Sequence, residues 1–569
     1  MAQTDRLTIA LAQLNPTVGD VAGNLRLVRQ ARAEAAAGGA DVLLTSELVL
    51  SGYPPEDLVL KPDLLAALRE ATETLAAETG DGGPGLLLCT PWYHGPRDWS
   101  QTAPGSLRGQ VTNAVVYLDE GRIVTRRDKV ALPNYGVFDE VRVFHPGDPP
   151  GPISVRGVRL GVPICEDIWV SEVAETLAET GAEALLVPNG SPFELNKLDQ
   201  RMQIAAARIG ETGLPLAYLN QVGGQDELLF DGASFALNAD YGVALQMPAF
   251  EAQVGFLTLV RGAAGWRFEA GARVPQPESS EQIYAALTLG LRDYVDKNGF
   301  PGVVLGLSGG IDSAISAAIA VDALGAERVR AVMLPSPYTS RESLEDAAGC
   351  AALLGIRLDE VDIGPAMRAF EGMLAPLFNG HPADITEENV QSRARGLSLM
   401  AISNKLGPMV LSTGNKSEMS VGYATLYGDM CGGFNALKDV YKTQVYQISR
   451  WRNQARPAIA LGPAGRVIPE RIITKVPTAE LRPNQTDQDS LPDYDTLDAI
   501  LTGLIEREAS LDTLTGEGHA RDTVLKVWGL LDRAEYKRRQ SCPGTKITAR
   551  ALSRDRRYPI TNGFRAPRH

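Results

Sequence analysis

The sequence predicts an α/β protein built from two large domains, and three observations carry that expectation. Strand-like apolar runs alternate with helical patterns through roughly the first 270 residues. A polar stretch holding two prolines and lacking any periodicity, residues 271–282, then interrupts the pattern and reads as a linker. Beyond it a second alternation begins, with a buried strand turning through glycines into a helix, as in a doubly wound parallel sheet. Length agrees, because 569 residues amount to roughly three to four average domains or two large ones.

Each element has its own signal. LTIALAQLN (7–15) reads as a strand, NLRLVRQARAEAAAGG (24–39) as a helix stopped by glycines, and DVLLTSEL (41–48) as the next strand. LLLCTPWY, NAVVYL, RLGVPICED and EALLVPNGS are further strand-like runs, several ending in Gly, Asn, Asp or Ser. A helix is expected near 198–211, followed by a Gly-rich hairpin, GGQDELLFDGASFAL. After the linker, QIYAALTLGLRDYVDKNG predicts an amphipathic helix. GVVLGLS (302–308) predicts a buried strand turning through Gly309-Gly310 into the helix DSAISAAIAVDALG. VRAVMLPS and EDAAGCAALLG continue as strand and helix. The expected boundaries are a first domain over 1–272, a linker over 273–282 and a second domain over 283–569.

Composition narrows the function classes. Net charge is −14, so backbone-driven nucleic-acid binding is not expected to be the main business of the chain. An Arg-rich stretch from Lys537 to Arg568 is the local exception. No run of 18 apolar residues marks a membrane span. Five scattered cysteines (89, 165, 350, 431, 542) form no CxxC pair, which suits a reduced, cytoplasmic compartment.

Glu47, Lys129 and Cys165 each close or follow a strand-like run, where ligand sites of α/β sheets gather. A cysteine attacks as its thiolate and needs a neighbouring base or cation. Glu47 suits the base, and Lys129 suits the oxyanion of a tetrahedral intermediate. Singly, each has a plainer reading, since a Cys at a strand end is more often a small packed residue. The surrounding segments SELVLSGYPPEDL (46–58), DKVALPNYGVFDE (128–140) and GVPICEDIW (161–169) resemble, in order, the three signature segments of the nitrilase (carbon–nitrogen hydrolase) superfamily. The resemblance implies an α-β-β-α sandwich that hydrolyses amides through a cysteine thioester. Glu47 is then the general base, Lys129 the oxyanion-side residue, Cys165 the nucleophile and Glu140 an accessory carboxylate. PNGSPFELNK (188–197) is similar to the version on glutaminase domains, implying that Tyr135, Ser191 and Lys197 hold the amino-acid end of glutamine.

The second constellation is LGLSGGIDS (305–313), between a strand and a helix. Such a loop offers backbone N–H groups and a helix N-terminus to a phosphate. Asp312 facing phosphates makes chemical sense with Mg²⁺ between them. No GxxxxGK[ST] is present, so ordinary γ-phosphate cleavage is not supported. The literal GxGxxG at Gly80–Gly85 follows a helix and precedes a strand, the reverse of dinucleotide-binding order, and is read as a loop.

SGGIDS resembles the loop of ATP pyrophosphatases, with their Rossmann-like sheet. The segments 389–407, 411–446, 480–501, 534–552 and 557–564 are similar to the NAD synthetase family. That similarity implies ATP contacts at Gly306, Leu307, Ser308, Gly309, Gly310, Ile311, Asp312, Ser313 and Thr413. Lys442 and Thr478 align less closely with phosphate-binding positions. Asn389, Glu418 and Lys537 match positions that meet deamido-NAD, with Asp312 and Glu418 at Mg²⁺. Together the halves imply glutamine-fed NAD synthesis from glutamine, ATP and deamido-NAD, with ammonia kept from water between the two reactions. The family also implies a homo-oligomer through the synthetase domains; the acidic charge and the lack of a long apolar run lead us to expect neither nucleic acid nor membrane as partner. Two alternatives stay open at this point: another glutamine-fed, ATP-cleaving amide ligase, and a non-catalytic protein that kept the fold.

Overall fold

A computed structural model of the chain describes residues 5–95, 111–263, 265–483, 485–552 and 554–564. The end of the basic C-terminal stretch, 565–569, therefore lies outside the described residues. The chain divides into two compact units, Met1–Gln225 with Leu229–Pro277, and Asp226–Leu228 with Glu278–His569. No helix among the described residues is long and apolar enough to cross a membrane.

The first unit is a four-layer sandwich. One sheet runs in the order Gly265–Phe268, Gln253–Gly262, Arg6–Gln13, Val42–Thr45, Gly85–Tyr93, Val111–Asp119, Arg122–Asp128. The other runs Val243–Gln246, Phe235–Leu237, Leu216–Asn220, Ala184–Asn189, Val158–Gly161, Ile153–Val155. Strand periodicity decides which side chain joins which layer. Leu7, Ile9 and Leu11 enter the core between the sheets with Leu160, Leu186 and Leu219. Their neighbours Ala10 and Ala12 face outward under the helices Val21–Ala37 and Pro62–Glu78. The helices Ser171–Glu179 and Lys197–Thr212 cover the second sheet in the same way, through Val173, Leu177, Ala205 and Ile209. The Gly-rich hairpin forms as Val222–Gln225 and Leu228–Asp231.

The second unit holds five parallel strands in the order Arg357–Glu360, Val329–Met333, Val303–Gly306, Met409–Ser412, Phe434–Asn435. Chain direction across the sheet reverses between Val303–Gly306 and Met409–Ser412, so a crevice opens at their carboxyl ends. The helix Ser279–Lys297 departs from the amphipathic reading. Every residue from Ile283 to Leu291 is buried, because the helices Ile311–Leu324 and Lys442–Arg452 pack on it together. Periodicity within one segment cannot foresee a helix covered from several sides.

Candidate active sites

In the first unit the Glu–Lys pair is fully buried. Glu47 follows the strand Val42–Thr45, and Lys129 follows Arg122–Asp128. Lys129 Nζ donates to Glu47 Oε1 at 2.7 Å and to both oxygens of Glu140 at 2.9 Å. Asn113 Nδ2 also donates to Glu47 Oε1 at 2.7 Å, and the Gly190 N–H donates to Oε2 at 2.8 Å. Tyr53 donates its hydroxyl to Glu140 Oε1 at 2.8 Å. Burial alone would depress the Lys129 ammonium, but the Glu140 and Glu47 charges outweigh it and hold the group above the ordinary lysine value. Burial raises Glu140 to about 7 against the pull of Lys129, with Glu47 adding to the rise.

Cys165 opens the 3₁₀ turn Cys165–Ile168 with φ +48°, a left-handed backbone angle uncommon for a residue with a side chain. Burial and then the Glu47 charge push its thiol well above the usual value, against the opposing Lys129. The side chain therefore rests as a thiol, and a base must accept its proton before it can attack.

Sequence reasoning missed the residue that holds this turn. Asp167 accepts N–H bonds from Ile164 at 2.9 Å, Ala131 at 2.7 Å and Val130 at 3.0 Å. One buried carboxylate thus ties the nucleophile's turn to the segment that carries Lys129. Its only sequence signal is an acid two places after the cysteine, which does not reveal a long-range partner.

Of the residues matched to glutamine, Tyr135 donates its hydroxyl to Glu166 at 3.0 and 3.1 Å. Glu166, adjacent to the nucleophile, is a second acid the sequence reading passed over. Ser191 is buried and accepts from Arg201 Nε at 3.1 Å, while Arg201 is held by Asp231 at 2.8 and 3.0 Å. Lys197 starts the helix Lys197–Thr212, pairs with Glu194 at 3.2 Å and lies over the Trp169 ring at 5.3 Å. Cys89 and Cys350 pack in the interior; Cys431 and Cys542 are half-buried.

In the second unit, two cavities of about 220 and 260 Å³ open at the crevice between Val303–Gly306 and Met409–Ser412. Ser308–Ser313 and Glu418 line the first, Gly306 and Leu307 the second, and Ser308, Ser313 and Thr413 are shared by both. Gly309 has φ +80°, and a Cβ there would stand 2.2 Å from the Ser343 carbonyl oxygen. Glycine is therefore required. The Gly310 N–H donates to Ser308 Oγ at 3.2 Å, closing the turn before the helix Ile311–Leu324.

Lys442 and Thr478 also line the first cavity. Lys442 Nζ donates to Asp312 Oδ2 and to Glu418 Oε1, the latter at 3.1 Å. Burial, with Asp312 adding and Lys442 opposing, raises Glu418 above the ordinary carboxylate range. Asn415, missed by the sequence reading, donates from Nδ2 to Asp312 at 3.0 Å and accepts the Glu418 N–H at 3.0 Å. The capping pattern Asn415-x-x-Glu418 could have flagged it. Asn389 and Lys537 line neither cavity, and of their partners only Ala424 lines the first. Asn389 Oδ1 accepts from Thr425 at 3.0 Å, and Lys537 Nζ donates to the Gly422 and Ala424 carbonyls at 2.8 and 2.6 Å.

Residues 8–266 match the carbon-nitrogen hydrolase family, and residues 283–541 match the NAD synthase family. The glutamine-dependent NAD(+) synthetase of Rhodobacter capsulatus is 52% identical over 99% of this chain and 99% of its own length. The enzyme of that description from Acinetobacter baylyi is 44% identical over 98% of both chains. Among solved structures, the glutamine-dependent NAD+ synthetase of Acinetobacter baumannii in complex with ADP is 42% identical, covering 99% of this chain and 100% of that one with a TM-score of 0.76. The buried Glu–Lys pair with its cysteine and the phosphate-type loop thus lie in two domains that relatives carry on one polypeptide, and the chain belongs to the glutamine-dependent NAD(+) synthetase family.

Proposed function

We propose that residues 1–272 hydrolyse glutamine and that residues 283–569, after the 273–282 linker, use the ammonia to convert deamido-NAD to NAD at the expense of ATP. One observation carries this reading: a single chain joins a buried Glu–Lys–Cys cluster to a phosphate-loop cavity. Each half alone leaves either its product or its nucleophile unaccounted for.

In the first unit Glu47 accepts the Cys165 thiol proton as sulfur attacks the glutamine amide carbon. The Lys129 charge and backbone N–H groups offset the oxyanion. Glu47 returns the proton to the leaving nitrogen, which departs as NH₃ and leaves a thioester. Glu47 then takes a proton from water, hydroxide adds to the thioester carbon, and glutamate leaves with the thiol restored. Tyr135, Ser191 and Lys197 face the amino-acid end of the substrate. Glu166, bonded to Tyr135, suits the α-ammonium.

In the second unit the loop from Gly306 to Ser313, with Thr413, Lys442 and Thr478, binds ATP. Asn389, Glu418 and Lys537 serve the deamido-NAD side. The carboxylate of deamido-NAD attacks the α-phosphorus and pyrophosphate leaves. NH₃ adds to the adenylated carbon, AMP leaves, and the released proton passes to solvent. Asp312 and Glu418 fit Mg²⁺, being two carboxylates that converge on one point already occupied by a cationic side chain. Bound there, Mg²⁺ supplies neutralisation of phosphate charge.

The test is direct. The purified chain given ATP, Mg²⁺, deamido-NAD and amide-¹⁵N glutamine forms NAD with ¹⁵N in its carboxamide, with glutamate, AMP and pyrophosphate. Absence of NAD with either glutamine or ammonia would end the reading. A homo-oligomer through the second domain is part of the proposal. Met373, Leu377, Ile385 and Leu397 stand 64–77% exposed on the helices Gly364–Phe378 and Ile385–Leu406, an apolar surface suited to a second copy.

A further inference from the structure

Lys442 raises a question that phosphate binding does not answer. Its ammonium lies between Asp312 and Glu418, the pair assigned above to the metal. The lysine side chain is only 3% exposed, and the ammonium also lies 5.3 Å from the centre of the Tyr494 ring. Its backbone is fixed, because it begins the helix Lys442–Arg452 and its N–H donates to Ser417 Oγ at 2.9 Å. Any change of partner must therefore come from the side chain alone.

A dication cannot share this position with an ammonium, since like charges at contact distance repel strongly where water is scarce. The donor set is also small. Among the described residues no group of three His, Cys, Asp or Glu side chains is arranged to hold a metal ion. Mg²⁺ favours six oxygens and usually completes its shell from substrate phosphates and water. Two independent observations therefore agree: the place is occupied by a side-chain cation, and the protein ligands are too few without phosphate.

We propose that Lys442 is a stand-in cation that holds the Asp312–Glu418 pair until nucleotide arrives, so that divalent metal enters with ATP and not before it. Phosphate oxygens give the ammonium a second partner, which frees both carboxylates at the moment the missing metal ligands are delivered. The lysine thereby keeps two half-buried like charges together before nucleotide binds and enforces an order of binding. This rests on the assignment of the cavity to ATP and of the carboxylate pair to Mg²⁺.

The experiment measures binding of Mn²⁺ to the full-length chain by the electron paramagnetic resonance of free Mn²⁺, with and without α,β-methylene-ATP. The wild type without nucleotide is expected to bind Mn²⁺ at least about tenfold more weakly than Lys442→Met, because the variant removes one positive charge from the site. Lys442→Arg keeps the cation and is expected to match the wild type. Adding Asp312→Asn to Lys442→Met is expected to erase the gain, which places the extra metal at this pair. The proposal is overturned if Lys442→Met binds Mn²⁺ no more tightly than the wild type. A second measurement needs no variant: equal wild-type affinity with and without the analogue also overturns it. If the wild type with analogue holds no Mn²⁺ beyond what the analogue binds in buffer, the metal assignment itself fails and the proposal falls with it.

Discussion

At the scale of single residues, the chemistry turns on charges crowded into a volume without water. Cys165 rests as a thiol because burial and the carboxylates of Glu47, Glu166 and Glu140 oppose its ionisation more than Lys129 favours it. Substituting it should separate the two activities. Cys165→Ala is expected to lower glutamine-dependent NAD formation by roughly 10³-fold or more, while ammonia-dependent formation stays within about twofold. Parallel loss with both nitrogen sources would contradict the division of labour. Glu140 makes a different prediction. Its carboxyl is raised from 4.5 to about 7, so the folded state holds that proton more tightly than the unfolded state. The corresponding stability is present below about pH 4.5 and is lost as pH rises through about 7. Glu140→Gln should therefore flatten the decline of melting temperature between pH 5 and pH 8, even while lowering overall stability by leaving Lys129 with one carboxylate fewer. An unchanged slope would show that another group carries that pH dependence. Glu47, Lys129 and Cys165 were legible from their motifs. Asp167 and Glu166 were not, because their roles depend on partners distant in sequence, and Asn415 showed only its capping of Glu418, not its bond to Asp312.

At the scale of elements, two short turns hold the machinery. The 3₁₀ turn at Cys165 keeps a non-glycine residue at φ +48°, an arrangement that lasts only while its surroundings enforce it. Asp167 is that enforcement. In Asp167→Asn one amide nitrogen must replace a carboxylate oxygen, so either the Ile164 N–H or the 130–131 N–H pair loses its acceptor. Glutamine hydrolysis should fall by about 10²-fold. The pH midpoint for iodoacetamide alkylation of Cys165 should move with it, while ammonia-dependent synthesis persists. An unmoved alkylation profile would reduce Asp167 to a packing role. Gly309 is the counterpart in the second unit. Gly309→Ala would drive a methyl group against the Ser343 carbonyl and force a left-handed angle on alanine. Affinity for an ATP analogue, read by calorimetry, is expected to drop by at least about tenfold, and NAD formation should fall equally with glutamine and ammonia. The strand–turn–helix order around this loop was readable from glycines and apolar runs. The burial of the helix Ser279–Lys297 was not, since covering a helix from several sides is a property of its neighbours.

At the scale of the whole molecule, the acidic net charge of −14 coexists with local cations that are already partnered. Lys416, for example, is buried against Asp439 at 2.9 Å and Glu506 at 3.1 Å. Such lysines organise the interior. The exposed Met373 and Leu377 lie one helical turn apart and define where association is expected. Light scattering should give a mass above one chain of 60.9 kDa for the wild type and a shift toward that value for Leu377→Glu. A monomeric wild type would remove this assignment.

The sequence by itself determined the α/β class, and it is the source of the proposed break near residues 271–282, the proposed Glu–Lys–Cys triad and the proposed phosphate loop. These are written in local patterns: strand and helix periods, glycines where a turn requires them, and motif words in a set order. Only the tertiary structure decided that one lysine neutralises Asp312 and Glu418 together, that Asp167 ties two distant segments, and that Cys165 remains a thiol. The physical reason is common to all three. Partner choice, ionisation and strain depend on which groups are brought together away from water, and that is set by the packing of segments that lie far apart along the chain.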